Sequence, residues 1–348
     1  MGGARRLAGW ITVAVLYAGA APADEAIWRN HMATAAAAAQ RGDHGAAVQM
    51  FTAAAREAEA FEANDVRRAA TLFGLAQAHR ARHEYAPAEK NYLRALGILE
   101  SVNGALHERN ASVLTGLGDL YRVQGRYAES EDYYKRELAI IEKTRGADHP
   151  TVALALSNNL AALYRVQMRR EEAEALYLRA LAILEKALPA DDPQVGLALI
   201  DLAEWFQGRQ RHAEAEPYYR RGIPIVEKMF PPAHPRVLLL LNDWGVVRQL
   251  QGRYAEAEAV FKMMLSLIEK VQGPTHPNAG AALNNLVGVY EVQGRHAEAE
   301  AARKRMLAIA STPLRSQPYV PYQGTAPVAP VQPPPPPVQA PPRKREIR

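Results

Sequence analysis

A twelve-residue stretch, LYRVQGRYAESE at 120–131, is written again as LYRVQMRREEAE at 163–174, QLQGRYAEAE at 249–258 and YEVQGRHAEAE at 290–300. Aligned on the turn residue, the copies fall at Gly42, His83, Gly125, Met168, Gln210, Gly252 and Gly294, in steps of 41, 42, 43, 42, 42 and 42. A second marker keeps one register between the turns: His107, DHP at 148–150, DDP at 191–193, AHP at 233–235 and THP at 275–277. A fixed period of this size confines the chain to a solenoid or a propeller, because each copy must bury its apolar face against the next.

Within a copy the apolar spacing is helical. In the fourth, Pro150 stands where a missing N–H costs little, at the start of a helix. Leu156, Leu160, Leu163 and Tyr164 then share one face. Beyond Met168, the residues Ala173, Leu176, Tyr177, Ala180, Leu181 and Leu184 repeat that spacing. No run of alternating β-branched residues appears, and Ala, Leu, Glu, Arg and Gln dominate, so the fold class is all-α. Two departures stand out. Met168 and Gln210 replace the turn glycine, so those turns are expected to avoid positive φ or to carry strain. The second helix of the fifth copy contains Pro217, Gly222 and Pro224, and a kink is expected there.

The segments LSNNLAALYRVQ (156–167) and LNNLVGVYEVQGRHAEAE (283–300), with the His-Pro marker, resemble tetratricopeptide repeats of the kinesin-light-chain type. A period near 42 also suits HEAT repeats or a propeller. The small-residue turn, Tyr164 and Tyr290 before it, and the small–aromatic–small spacing after it favour the tetratricopeptide reading. The resemblance implies a right-handed α-solenoid of about seven helix-turn-helix units, 24–64, 65–106, 107–148, 149–191, 192–233, 234–275 and 276–312. It also implies that the first helix of every unit lines a concave groove holding an extended peptide or a partner helix. Carried over by position, three slots counted back from the turn are expected to face that groove. Three residues back stand Arg80, Arg122, Arg165, Gln207, Gln249 and Glu291. Six back stand Gln77, Asp119, Ala162, Glu204, Val246 and Gly288. Ten back stand Phe73, Thr115, Asn158, Ile200, Asn242 and Asn284. The three arginines would form a basic stripe suited to carboxylates. Asn158, Asn242 and Asn284 would pair with a peptide backbone, since an amide both donates and accepts. Against this, a cation near a helix C-terminus is favourable by ~0.3–1 kcal/mol without any ligand.

Other signals point away from chemistry. There are no cysteines, which removes disulfides, thiolate catalysis and Cys-based metal sites. His107, His149, His234 and His276 occupy one slot in separate units and cannot converge on one ion, and Asp192 in the same slot fits a loop or cap role. The RHAEAE stretches at 211–216 and 295–300 lack the H-E-x-x-H spacing and read as acidic helix starts. No nucleotide-binding or nucleophile-elbow motif occurs, so neither catalysis nor a cofactor is expected. Tyr133, Tyr134, Tyr177, Tyr218 and Tyr219 recur at core spacing and read as packing residues.

The ends differ from the repeats. Arg5, Arg6, an apolar stretch from Leu7 to Ala21 and Ala21-Pro22-Ala23 have the layout of a secretory signal peptide, residues 1–23. The apolar stretch is short for a span, though an uncleaved anchor is the alternative. Export with no eukaryotic feature points to a bacterial periplasm. From Pro313 the repeat stops. Residues 313–348 hold 12 prolines and net +4, and their composition predicts a disordered or polyproline-like basic tail, a spacer or an envelope contact. The chain carries +5 overall, but residues 24–312 have 35 basic against 36 acidic residues, which argues against nucleic acid. The leading expectation is a non-catalytic protein-interaction scaffold. The rivals are an anchored envelope spacer and a regulatory enzyme subunit.

Overall fold

The computed structural model describes residues 23–311, and these form fourteen helices in seven antiparallel pairs, with no strand among them. The pairs are α1 (Ala23–Gln40) with α2 (His44–Glu57), α3 (Val66–Ala81) with α4 (Tyr85–Asn103), and α5 (Ala111–Val123) with α6 (Tyr127–Arg145). The fourth pair opens with α7, which runs Pro150–Ala155, passes through a π-helical turn at Leu156–Ala161 and ends as Ala162–Val166. Its partner is α8 (Arg170–Ala187). Then follow α9 (Pro193–Gln207) with α10 (His212–Glu227), α11 (Pro235–Leu250) with α12 (Tyr254–Gln272), and α13 (Pro277–Val292) with α14 (His296–Ser311). Residues 1–22 of the expected signal peptide and the Pro-rich tail lie outside the described residues, while the expected cleavage bond, Ala23–Asp24, is at the start of α1.

The recurrent marker is a helix cap. His107, His149, His234 and His276 each accept a hydrogen bond at the ring from the backbone N–H two residues on, and Asp192 does the same with its carboxylate. After all of these but His107, which precedes Glu108, the next residue is a proline in the first helical position, where it sacrifices no internal bond.

The recurrent turn is a helix C-terminus folded back on itself. At all seven turns the residue after the turn position donates its N–H to a carbonyl five residues earlier, at 2.9–3.0 Å. The turn residue itself bonds the carbonyl three back, which completes a Schellman motif. That motif demands a left-handed residue. His83, Met168 and Gln210 supply it at φ 61, 60 and 60°. Positive φ is therefore not avoided where glycine is missing. The two bonds hold a conformation that costs a side-chain-bearing residue roughly 1–2 kcal/mol.

Close packing within a pair comes from a small residue facing an aromatic one. Seven residues before the turns stand Ala35, Ala76, Gly118, Ala161, Ala203 and Gly245, all buried. Nine residues after the turns stand Phe51, Tyr92, Tyr134, Tyr177, Tyr219 and Phe261, also buried. A Cβ at Gly118 would run into the Tyr134 ring, and one at Gly245 into Phe261. Tyr133 stacks on Tyr121 and Tyr218 on Phe206, so the paired tyrosines are packing residues.

The arginine after the turn staples neighbouring units. Arg126, Arg169, Arg211, Arg253 and Arg295 each bond a glutamate three residues on, in the second helix of their own unit. Each also reaches a glutamate of the preceding unit: Glu89, Glu131, Glu174, Glu216 and Glu258. Four of the guanidiniums stack on the aromatic ring five residues earlier, Tyr121, Tyr164, Phe206 or Tyr290. This explains the repeated G-R-x-A-E wording.

Two places depart from the regular pattern. The helix α10 is one unbroken helix through Pro217 and Pro224. Gly222 there serves a close approach, since a Cβ would press on Ile200 and Leu199 of α9. The second place is α7, with its π-helical turn. From cap to turn the other marked units count 18 positions, but His149 to Met168 counts 19. The π turn absorbs the extra residue, and this is the origin of the 43-residue step.

Candidate functional site

The first helices carry a face that their pairing partners leave open. Two apolar rows run along it. Leu154, Leu197 and Leu239 stand five residues after successive caps, and Val123, Val166, Leu250 and Val292 stand two residues before the turns; all seven are exposed. Polar side chains lie between the rows.

The expected slots divide on this face. Phe73, Thr115 and Ile200 are buried at 4%, 3% and 0% exposure, so the row ten residues before the turn is core in those units and not groove. Counting back from the turn also misplaces the fourth unit. The π turn shifts everything before it by one residue, so Asn158 corresponds to Asp201, Asp243 and Asn285, not to Asn242 and Asn284. The asparagine ladder Asn158–Asn242–Asn284 is thus not one row. Asn242 accepts a 2.6 Å bond from Asn285, while Asn158 and Asn284 are exposed.

The arginine stripe is not uniformly free either. Asp119 sits between Arg80 and Arg122, at 3.6 and 3.7 Å, and also accepts a 2.7 Å bond from the Tyr134 hydroxyl. Arg165 has no such partner. Gln207 takes a hydrogen bond from Tyr219, and Gln249 lies half-buried beside Gly288.

Arg165 instead borders a cleft of about 350 Å3 between the fourth and fifth units. Ser157, Asn158 and Arg165 come from α7, Tyr177 from α8, and Asp201 and Glu204 from α9. The first four and Asp201 have no side-chain hydrogen bond or ion pair among the described residues. Glu204 is paired, with Arg236 of α11 at 2.8 Å. The floor is Trp205, with the Arg209 guanidinium over its ring at 3.1 Å. Burial, reinforced by the nearby Glu204, pushes the Asp201 carboxyl up to about 7. Burial also raises Glu204, Asp243 and the Tyr177 phenol. A second cleft of about 400 Å3, lined by Phe230, Pro231, Pro232 and Met263, opens by the loop after α10 and is mainly apolar.

Sequence reasoning named Arg165, Asn158 and Glu204 but missed Asp201 and Tyr177 as groove residues. The 43-residue step was the available signal for the first, because it marks where the count slips.

The tetratricopeptide repeat family model matches residues 109–158, 152–228 and 236–312, more than half of the chain. The chain belongs to the tetratricopeptide repeat family. It is similar to a kinesin light chain of nearly identical TPR-like repeats from Podosopora anserina, at 23% identity over 60% of this chain and 99% of that one, TM-score 0.51. It is similar to BtubC (BKLC) from P. vanneervenii, at 22% identity over 66% and 90%, TM-score 0.52. The tetratricopeptide sensor of a STAND signal-transduction ATPase from Pyrococcus horikoshii gives TM-score 0.64 at 17% identity, over 81% of this chain and 42% of that one. Among curated proteins, none matches this sequence. Tetratricopeptide repeats generally mediate protein–protein interaction, and the identities above speak to fold alone.

Proposed function

We propose that this tetratricopeptide chain is a non-catalytic scaffold that holds an extended peptide of another protein along its first-helix face. One observation carries this: Ser157, Asn158, Arg165, Tyr177 and Asp201 line one cleft with no side-chain hydrogen bond or ion pair among the described residues, between two exposed apolar rows. Such a mix gives a peptide apolar contact along its length and fixed polar contacts at one point. Arg165 suits a carboxylate of that peptide, and Asn158 its backbone. The secretory layout of residues 1–23 supports a periplasmic setting for the scaffold, with an anchored spacer as the alternative.

Titratable groups in a cleft also invite an enzyme reading. The cleft lining contains no histidine, and Ser157 has no base bonded to it. One apolar row continues past the cleft on both sides, to Val123 and to Leu250 and Val292, which suits a ligand longer than the cleft. The test is partner capture in cells with a photo-crosslinker at Leu154. The double variant Arg165→Ala/Asn158→Ala is expected to lower capture by at least about tenfold, as loss of a central contact does. Unchanged capture with an intact helical spectrum sinks the proposal.

A further inference from the structure

The first-helix face changes sign along its length. In the second and third units Arg80 and Arg122 outnumber their shared partner Asp119. In the fifth and sixth, the three carboxyls of Asp201, Glu204 and Asp243 face two cations, Arg236, which is already bound to Glu204, and Arg165 from the fourth unit, which acts on Asp201 and Glu204. Burial raises all three of these carboxyls, so each would be eased by an added cation. Arg236 and Arg165 leave this group of three carboxyls one cation short.

The chain supplies one beyond Ser311. Its last residues include Arg343, Lys344, Arg345 and Arg348 against a single acid, Glu346, after a stretch with 12 prolines from Pro313. We propose that this basic end, centred on Arg343-Lys344-Arg345, lies on the first-helix face of its own chain against Asp201, Glu204 and Asp243. The inference rests on reading that face as a peptide groove.

Reach permits it. About thirty residues separate Ser311 from Arg343, and at ~3.1 Å each in extended polyproline geometry they span up to ~95 Å. From α14 back to α9 are five helix steps of roughly 8–10 Å, or ~50 Å at most. The way passes Val292, Leu250 and Leu239, exposed apolar side chains suited to proline rings. A tethered segment also acts at an effective concentration near millimolar, so weak contacts suffice.

The test uses the full-length chain and a carbodiimide, which joins carboxylates directly to amines. Lys344 is the only lysine beyond Lys304, so its links are unambiguous. Mass spectrometry of the monomer is expected to find Lys344 joined to Asp201, Glu204 or Asp243, in a yield independent of protein concentration. Asp201→Asn/Asp243→Asn is expected to lower that yield several-fold with helicity intact. Arg343→Ser/Arg345→Ser, outside the helical units, is expected to do the same. Links scattered over unrelated carboxylates overturn the inference, and a yield that grows with concentration assigns the tail to a second copy and overturns it too. Partner capture that depends on Arg165 without the Lys344 link leaves the groove standing and removes only the tail.

Discussion

Asp201 and Glu131 are both partly exposed carboxylates, Asp201 the more desolvated, with opposite fates. Burial would push Glu131 up as it does Asp201, but bonds from Arg169, Lys135 and Tyr164 override it and hold the group at about 2. Its ordinary value is 4.5, so the stabilisation is complete above that and is lost as pH falls toward 2. Glu131→Gln is expected to cost about 1–2 kcal/mol near neutrality in chemical unfolding, with the difference shrinking across that window. Asp201 runs the other way. Between its ordinary 3.8 and about 7 the folded chain holds a proton that the unfolded chain has released, so its contribution falls as pH rises. Asp201→Asn is therefore expected to stabilise the fold at about pH 8, by about 1–2 kcal/mol once solvent screening is allowed for. The gain should vanish by about pH 4. High salt, which screens any basic segment nearby, is the condition for that measurement.

Among the helices, α7 separates what the repeat pattern made legible from what it hid. Period, caps, prolines and the small–aromatic pairing are local and recur, so they could be read from spacing. The π turn could not, because apolar residues on either side of it still look helical; only the 43-residue step betrays it. The same slip mixed Asn158 with Asn242 and Asn284. The role of Arg126 and its equivalents was hidden for another reason: their second glutamate lies 37 or 38 residues away, in another unit. Likewise Phe73 and Thr115 occupy an expected groove slot yet face the core, since one position in 3.6-residue geometry changes the face by 100°. A paired deletion tests this account of α7. Removing Asn159 restores the ordinary cap-to-turn count, keeps Ala161 against Tyr177, and is expected to cost only about 1–2 kcal/mol, for its lost bond to Glu137. Removing Ala203 from the regular α9 turns Trp205 and Phe206 away from the core, and is expected to cost at least ~3 kcal/mol.

Across the molecule, each unit touches mainly its neighbours, and the stability of such an array is close to a sum of unit and interface terms. Gly118→Ala, which drives a methyl into Tyr134, is expected to cost about 1–3 kcal/mol. Hydrogen exchange should then show lost protection in the second to fourth units and unchanged protection in the sixth and seventh. The buried side chains are also not one continuous body. They form three clusters, from Trp28 to Ala78, from Ala69 to Ile140 and from Tyr134 to Ile309. Gripped at both ends and drawn out, such a rod does not lengthen evenly. The two short blocks at the N-terminal end come away in separate small steps, while the long block behind them resists as a single piece. A force–extension trace of the whole chain would therefore show two early events and one late, larger one.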